Sequence, residues 1–140
     1  MNLNLIYPMA AMVLLTFGVL LAMFRRRVRA VRSGATQAGY YKTYQEGGEP
    51  REVAQYTRHF VNLFEAPTLF YAACISGLVT GLQSTVLVVL AWAYVLLRAL
   101  HTFVHLGRNS IPSRIKAYFS SWLILIAMWA VLVVGVATSS

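Results

Sequence analysis

The side chains that could do chemistry here are few, and they sit where a lipid-solvated helix would not carry them. Arg58, Asn62 and Glu65 are spaced i, i+4, i+7, which predicts one polar stripe along a helix. Arg98, His101 and His105 follow at i, i+3, i+7, and Arg114 and Tyr118 at i, i+4. An ionised side chain at the centre of a bilayer costs about 2.5–3.5 kcal/mol on insertion scales, so Glu65 and Arg98 are expected to pair with each other or to find water. If that pair only clips two helices together, two histidines, an amide, two more arginines and a tyrosine are left over. Such a surplus of donors around one cavity suits an anionic, polar ligand.

Other chemistries fit less well. His101 and His105, with Glu65 near them, make the beginning of a zinc site. No glutamate follows the first histidine and no third strong ligand is close in sequence, so no metal is expected. A Ser-His-Asp triad fails because the chain has no aspartate. Cys74 is the only cysteine and lies in an apolar run, which excludes an intrachain disulfide and a cysteine-metal cluster. Pro67 removes one backbone bond and frees the Leu63 carbonyl, which predicts a kink made for packing.

The elements that must position these residues follow from composition. Of 140 residues, 59% are hydrophobic and 11% charged. A soluble domain carries about a quarter charged residues, so most soluble enzyme classes are excluded and one all-α membrane bundle is expected. Twelve Lys and Arg against four Glu give +8, but the arginines cluster at the ends of apolar runs. That is the pattern of cytoplasmic loops, so no nucleic-acid partner is expected.

Four apolar runs, at about 3–24, 52–79, 84–106 and 113–137, predict a polytopic four-helix bundle forming a single domain over 1–140, with a cytoplasmic loop at about 25–50. The first run reads as a retained span, because a signal peptide carries its positive charge before the apolar stretch and here the arginines follow it. Arginine bias, Arg108 included, places both termini on the non-cytoplasmic side. Short turns make the later spans antiparallel neighbours, which puts all three polar stripes in the same half of the membrane. The first loop, with four glycines and Pro50, reads as a solvated linker whose arginines meet anionic headgroups and whose Tyr40, Tyr41 and Tyr44 anchor at the interface; its length would also let it cover a site. A short chain without a retention signal is expected in a bacterial inner membrane.

The stretch RALHTFVHLGRNSIPSRIKAY, from Arg98 to Tyr118, and the run RHFVNLFE, from Arg58 to Glu65, together resemble the signature of the membrane-associated proteins in eicosanoid and glutathione metabolism, the MAPEG family. The likeness is greatest to its microsomal prostaglandin-E synthase and microsomal glutathione transferase branch. The resemblance covers almost the whole chain and implies a homotrimer with glutathione held between subunits near the cytoplasmic face. It further implies contacts from Asn62, Glu65, His101, Arg114 and Tyr118, with Arg98 as a supporting charge; Arg58 and His105 belong to the same binding set. Arg114 would be the catalytic residue, the guanidinium that activates the thiol. The chemistry agrees, since a free thiol has a pKa of about 8.5 and an adjacent cation favours the nucleophilic thiolate.

Three positions depart from the family pattern. Val61 stands where some members carry an arginine, His105 where a tyrosine is common, and Ile115 where a serine follows the key arginine. Each change removes a glutathione contact or a catalytic hydroxyl, which disfavours prostaglandin-type isomerisation. The expectation is a glutathione-dependent transferase, or peroxidase, acting on lipophilic electrophiles or hydroperoxides that enter from membrane lipid. The alternative within the same fold is a non-catalytic lipid- or ligand-binding protein, and from another class a small exporter using Glu65 as its proton-coupled carboxylate.

Overall fold

The computed structural model describes residues 4–45, 47–107 and 110–139, so Arg108, expected among the charges that set orientation, lies outside the described residues. The elements are α1 (Ile6–Arg32), α2 (Tyr40–Thr43), α3 (Arg51–Asn62), α4 (Ala66–Thr80), α5 (Thr85–Leu106) and α6 (Ile111–Ser139). With α3 and α4 taken as one unit, four helices are long and apolar enough to cross a membrane, and no strand occurs among the described residues. The bundle is apolar on both sides of its wall. Met12, Phe70, Tyr94, Leu125 and Met128 fill the interior, while Leu14, Leu96, Phe103 and Leu123 stay exposed on the outside, where lipid replaces water as solvent. α5 packs most extensively on α6, and the Phe70 and Tyr94 rings stack at 4.6 Å to join α4 to α5.

The second crossing is broken, and the break redirects the polar side chain that follows it, Glu65. α3 ends at Asn62, three residues unwind, and α4 restarts at Ala66 with Pro67 in its first turn, where a missing N–H is harmless. The last turn of α3 tightens as it ends. Leu63 N donates to both His59 O and Phe60 O, and Phe64 N donates to Val61 O at 2.9 Å. The Thr68 hydroxyl donates to Phe64 O at 2.5 Å, which satisfies one carbonyl at the break. Pro67 thus acts one turn further upstream than its position suggests. The Asn62 carbonyl, as well as that of Leu63, loses its helical partner, and Glu65 no longer continues the face that carries Asn62.

The arginine cluster after the first apolar run is helical: α1 continues through Arg25–Arg27 to Arg32. The segment after it folds back onto the helix rather than lying free in solvent. Arg27 is the clasp. Its Nε donates to Glu49 Oε1 at 3.0 Å and its Nη2 to Thr57 Oγ1 at 3.0 Å, while Thr57 in turn donates to Glu49 Oε2 at 2.9 Å. The guanidinium also lies over the Tyr41 ring at 4.9 Å. The Glu49 side chain is only 5% exposed, so its charge is matched by a cation and a hydroxyl at once. Tyr40, Tyr41 and Tyr44, expected as interfacial anchors, pack edge to face on one another with centroids 5.3–6.1 Å apart. Arg26, with Glu52 at 3.1 Å and its guanidinium 4.2 Å above the Tyr56 ring, ties the same helix end to α3.

Two glycines set the far end of the bundle. Gly81 closes α4 in the left-handed region at φ 71°, and Ser84 caps α5 by accepting from Leu87 N at 3.2 Å. Gly77 lets α4 approach its neighbours, since a Cβ there would stand 2.8 Å from Leu87 Cδ2 and 3.0 Å from Leu5 Cδ1. Gly77→Val is therefore expected to destabilise the fold by about 1–3 kcal/mol. Gly18→Ala, with nothing within 4 Å of the added carbon, should be neutral or stabilising by up to about 1 kcal/mol. Reversible unfolding of the two variants in mixed micelles checks the contrast, and equal effects would show that close approach at Gly77 does not matter.

Candidate functional site

The break in the second crossing creates an acceptor, and Arg98 uses it. Arg98 lies on the inner face of α5 and is fully buried. Its Nη2 donates to Asn62 O at 3.1 Å, supplying a partner for the carbonyl left without a helical one, and its guanidinium stands 5.8 Å from the centroid of the Tyr118 ring on α6. The expected Glu65–Arg98 pair does not form. Glu65 is exposed at the start of α4, because the unwound turn carries it off the Asn62 face. Arg98 is instead neutralised in part by a main-chain dipole and an aromatic face, each weaker than a carboxylate but free of the cost of burying a second charge.

Four of the sequence-selected residues meet in one cleft of about 390 Å³: Asn62 from α3, His101 from α5, and Arg114 and Tyr118 from α6. The His101 and Tyr118 rings are 5.7 Å apart. Ile111, Ile115 and Phe119 form the apolar remainder of the wall. Arg114 is half-buried, so its charge reaches the cleft surface. Ile115, one of the departures from the family pattern, faces the space directly. Arg98 stands behind this wall through its contact with Tyr118. Arg58 and Glu65 are exposed and outside the cleft, and His105 is buried one turn beyond His101. The three-residue stripe expected on the second crossing therefore contributes only Asn62 to the cleft within one chain.

Sequence reasoning passed over His59. It is fully buried on α3, with its ring 5.4 Å from His101 and 4.7 Å from His105. Its Nε2 is 2.8 Å from Thr102 Oγ1, and that hydroxyl donates to Arg98 O at 2.8 Å. Because the hydroxyl proton is already used, Nε2 of His59 must be the protonated nitrogen, which leaves Nδ1 as an acceptor. The signal available in the sequence was weak. His59 follows Arg58 on a helix whose polar spacing runs through Arg58, Asn62 and Glu65, and only the packing shows that His59 is turned inward. No group of three or more His, Cys, Asp or Glu side chains arranged to hold an ion occurs among the described residues.

What the arrangement can do is bind an anion with polar substituents. A cation, an amide, an imidazole and a phenol converge from three helices, and the exposed Ile111, Ile115 and Phe119 form an apolar lip beside them. In comparison with known proteins, the family model described as the MAPEG family matches residues 5–134. No curated protein and no solved structure matches.

Thr102 links α3 to the backbone of α5 behind the cleft. Thr102→Val keeps shape but removes the oxygen that accepts from His59, and stranding that buried donor is expected to cost about 1–3 kcal/mol. Thr102→Ser should retain most of the stability. Thermal unfolding of both in the same detergent measures this, and equal midpoints would mean the hydroxyl is dispensable.

Proposed function

The chain belongs to the MAPEG family, and from that premise we propose that it is an integral membrane glutathione-dependent transferase, with peroxidase chemistry as its variant on hydroperoxides. The observation that carries the reading is the convergence of Arg114, Asn62, His101 and Tyr118 on one cleft with an apolar lip. The residues present fit an acidic peptide. Its carboxylates match a guanidinium fork, its amides match Asn62 and Tyr118, and the cleft volume falls within the range of roughly 300–1,000 Å³ usual for small-molecule sites.

Bound glutathione supplies a thiol whose deprotonated sulfur attacks a lipophilic electrophile. Arg114 keeps a positive charge at the wall of the cleft, which favours that deprotonated form. His101 and Tyr118 offer hydrogen bonds on the same side and orient the peptide, while Asn62 supplies an amide from α3. Ile111, Ile115 and Phe119 exclude water and receive the apolar second substrate as it leaves the bilayer. Ile115 brings no hydroxyl, so the chemistry rests on the charge of Arg114 and not on a serine beside it.

The assembly belongs to the same proposal. Arg58 and Glu65 are exposed, and charges at those depths are costly against lipid. In a homotrimer, with glutathione between subunits, they would face a neighbouring copy's cleft and complete the set selected from the sequence. The arginine-rich end would lie in the cytoplasm of a bacterial cell and both termini on the other side. The non-catalytic alternative draws on Val61, which is exposed, and on Ile115, which lines the cleft. Both put an apolar surface where polar contact would otherwise strengthen peptide binding.

Purified protein should give a native mass of three subunits, saturable glutathione binding and the ultraviolet absorbance of a thiolate. Arg114→Ala should abolish that absorbance and lower conjugation of an aromatic electrophile by about 100-fold, the effect usual for removing one electrostatic stabiliser. Three subunits with copurifying lipid and no turnover would favour the non-catalytic reading. An unchanged rate in the variant would remove Arg114 from the chemistry.

A further inference from the structure

His101 of the cleft wall belongs to a polar cluster with His59 and His105, two histidines behind the cleft to which the proposed chemistry gives no role. The His59, His101 and His105 rings lie 4.7–5.6 Å apart, two on α5 and one on α3. Four of their ring nitrogens, Nδ1 of each residue and Nε2 of His105, are buried and find no hydrogen-bond partner among the described residues. Buried polar atoms are normally satisfied, and where side chains do not do it, buried water does. The cluster has two ends. His101 reaches the cleft. His105 lies in the last turn of α5, where the half-buried Gln55 side chain donates to its carbonyl. The groups packed around it are Arg98 on α5 and Arg114 and Tyr118 on α6, with Thr102 holding His59.

The roles of the three rings differ. His59 is fixed by Thr102 with its proton on Nε2, so its Nδ1 can only accept and suits the holding of a water. His105 has both ring nitrogens buried and without a partner among the described residues, which allows it to take a proton on one and release a proton from the other. We propose that His101 and His105, bridged by water held on His59, form a proton path from the cleft to the Gln55 end of the bundle. The inference rests on the function proposed above, in which a thiol must ionise in a site lined partly by apolar side chains. The S–H bond breaks and its electron pair stays on sulfur. The proton passes to His101, then through water to one nitrogen of His105, and a proton leaves from the other nitrogen to water near Gln55. No oxidant or further reactant is needed, and the net products are a thiolate and a proton delivered outside the cleft. His101 is the station that faces the reacting group; His105 carries the proton onward, and His59 is a positioning residue.

The test is stopped-flow mixing of the purified full chain in micelles with glutathione, following thiolate absorbance and, with a pH dye, proton release. His105→Gln removes a ring that can exchange protons. His59→Gln keeps a side-chain N–H for Thr102 but loses the Nδ1 acceptor. Each is expected to slow thiolate formation at saturating glutathione by about tenfold or more, with amplitude unchanged, with glutathione affinity also unchanged for His59→Gln, and with the rate restored by millimolar imidazole. A larger solvent deuterium isotope effect in the variants would accompany the slowing, which a purely structural role would not produce. Rates equal to the parent's at full amplitude would overturn the path while leaving the proposed function intact, as would slowing that tracks weakened binding and resists imidazole. If His105→Gln does not fold, His59→Gln decides alone by the same criteria. Absence of any thiolate signal in the parent chain would overturn the proposed function, and the path with it.

Discussion

A buried guanidinium held by a main-chain carbonyl is the contact on which the rest of this structure depends. Arg98 is fully buried in a bundle that has few charges, and its hydrogen-bond acceptor, Asn62 O, exists only because the second crossing is broken at Leu63–Glu65. A continuous helix would have used that carbonyl internally and left the arginine without it. Pro67 in the first turn of α4 keeps the break from healing, because it cannot donate the bond that would close the turn. Sequence-local chemistry at one residue thus decides where a charge on another helix can rest.

The same contact aligns the three helices that carry the cleft. Arg98 ties α5 to the end of α3 through Asn62 and approaches α6 through the Tyr118 ring. Asn62 and Tyr118, touched by Arg98 from behind, are themselves cleft-lining residues. The Thr102 bridge fixes His59 against α5 one turn further on. A site assembled from single side chains on separate helices needs such cross-links, because packing of apolar surfaces in lipid is weakly directional. On the same α3, Arg27 and Glu49 fold the connecting segment onto α1 and α3, which leaves the arginine-rich end of the bundle ordered beside the broken helix.

Family membership and the cleft together give the proposed chemistry its economy. One cation at a partly apolar surface is enough to favour a thiolate. Membership by itself fixes the fold. The reaction is a matter for the groups that reach the cleft, and of these Arg114 is the one that brings a positive charge beside an apolar lip.

The sequence by itself determined the class of fold. Runs of about twenty apolar residues bounded by arginines admit little besides spanning helices, since in lipid every backbone group must be satisfied within the chain. It also named Asn62, His101, Arg114 and Tyr118, because polar residues at helical spacing in apolar surroundings need a reason to be there. Tertiary structure alone decided which member of each stripe turns inward. Periodicity assumes an unbroken helix, and three unwound residues after Asn62 were enough to send Glu65 outward and to leave Arg98 with a carbonyl in place of a carboxylate, while Arg58, on the same unbroken α3 as Asn62, is exposed by the packing of that helix. His59 escaped for the complementary reason: a histidine's burial depends on which helices face it, and the facing helix is more than forty residues away in the chain.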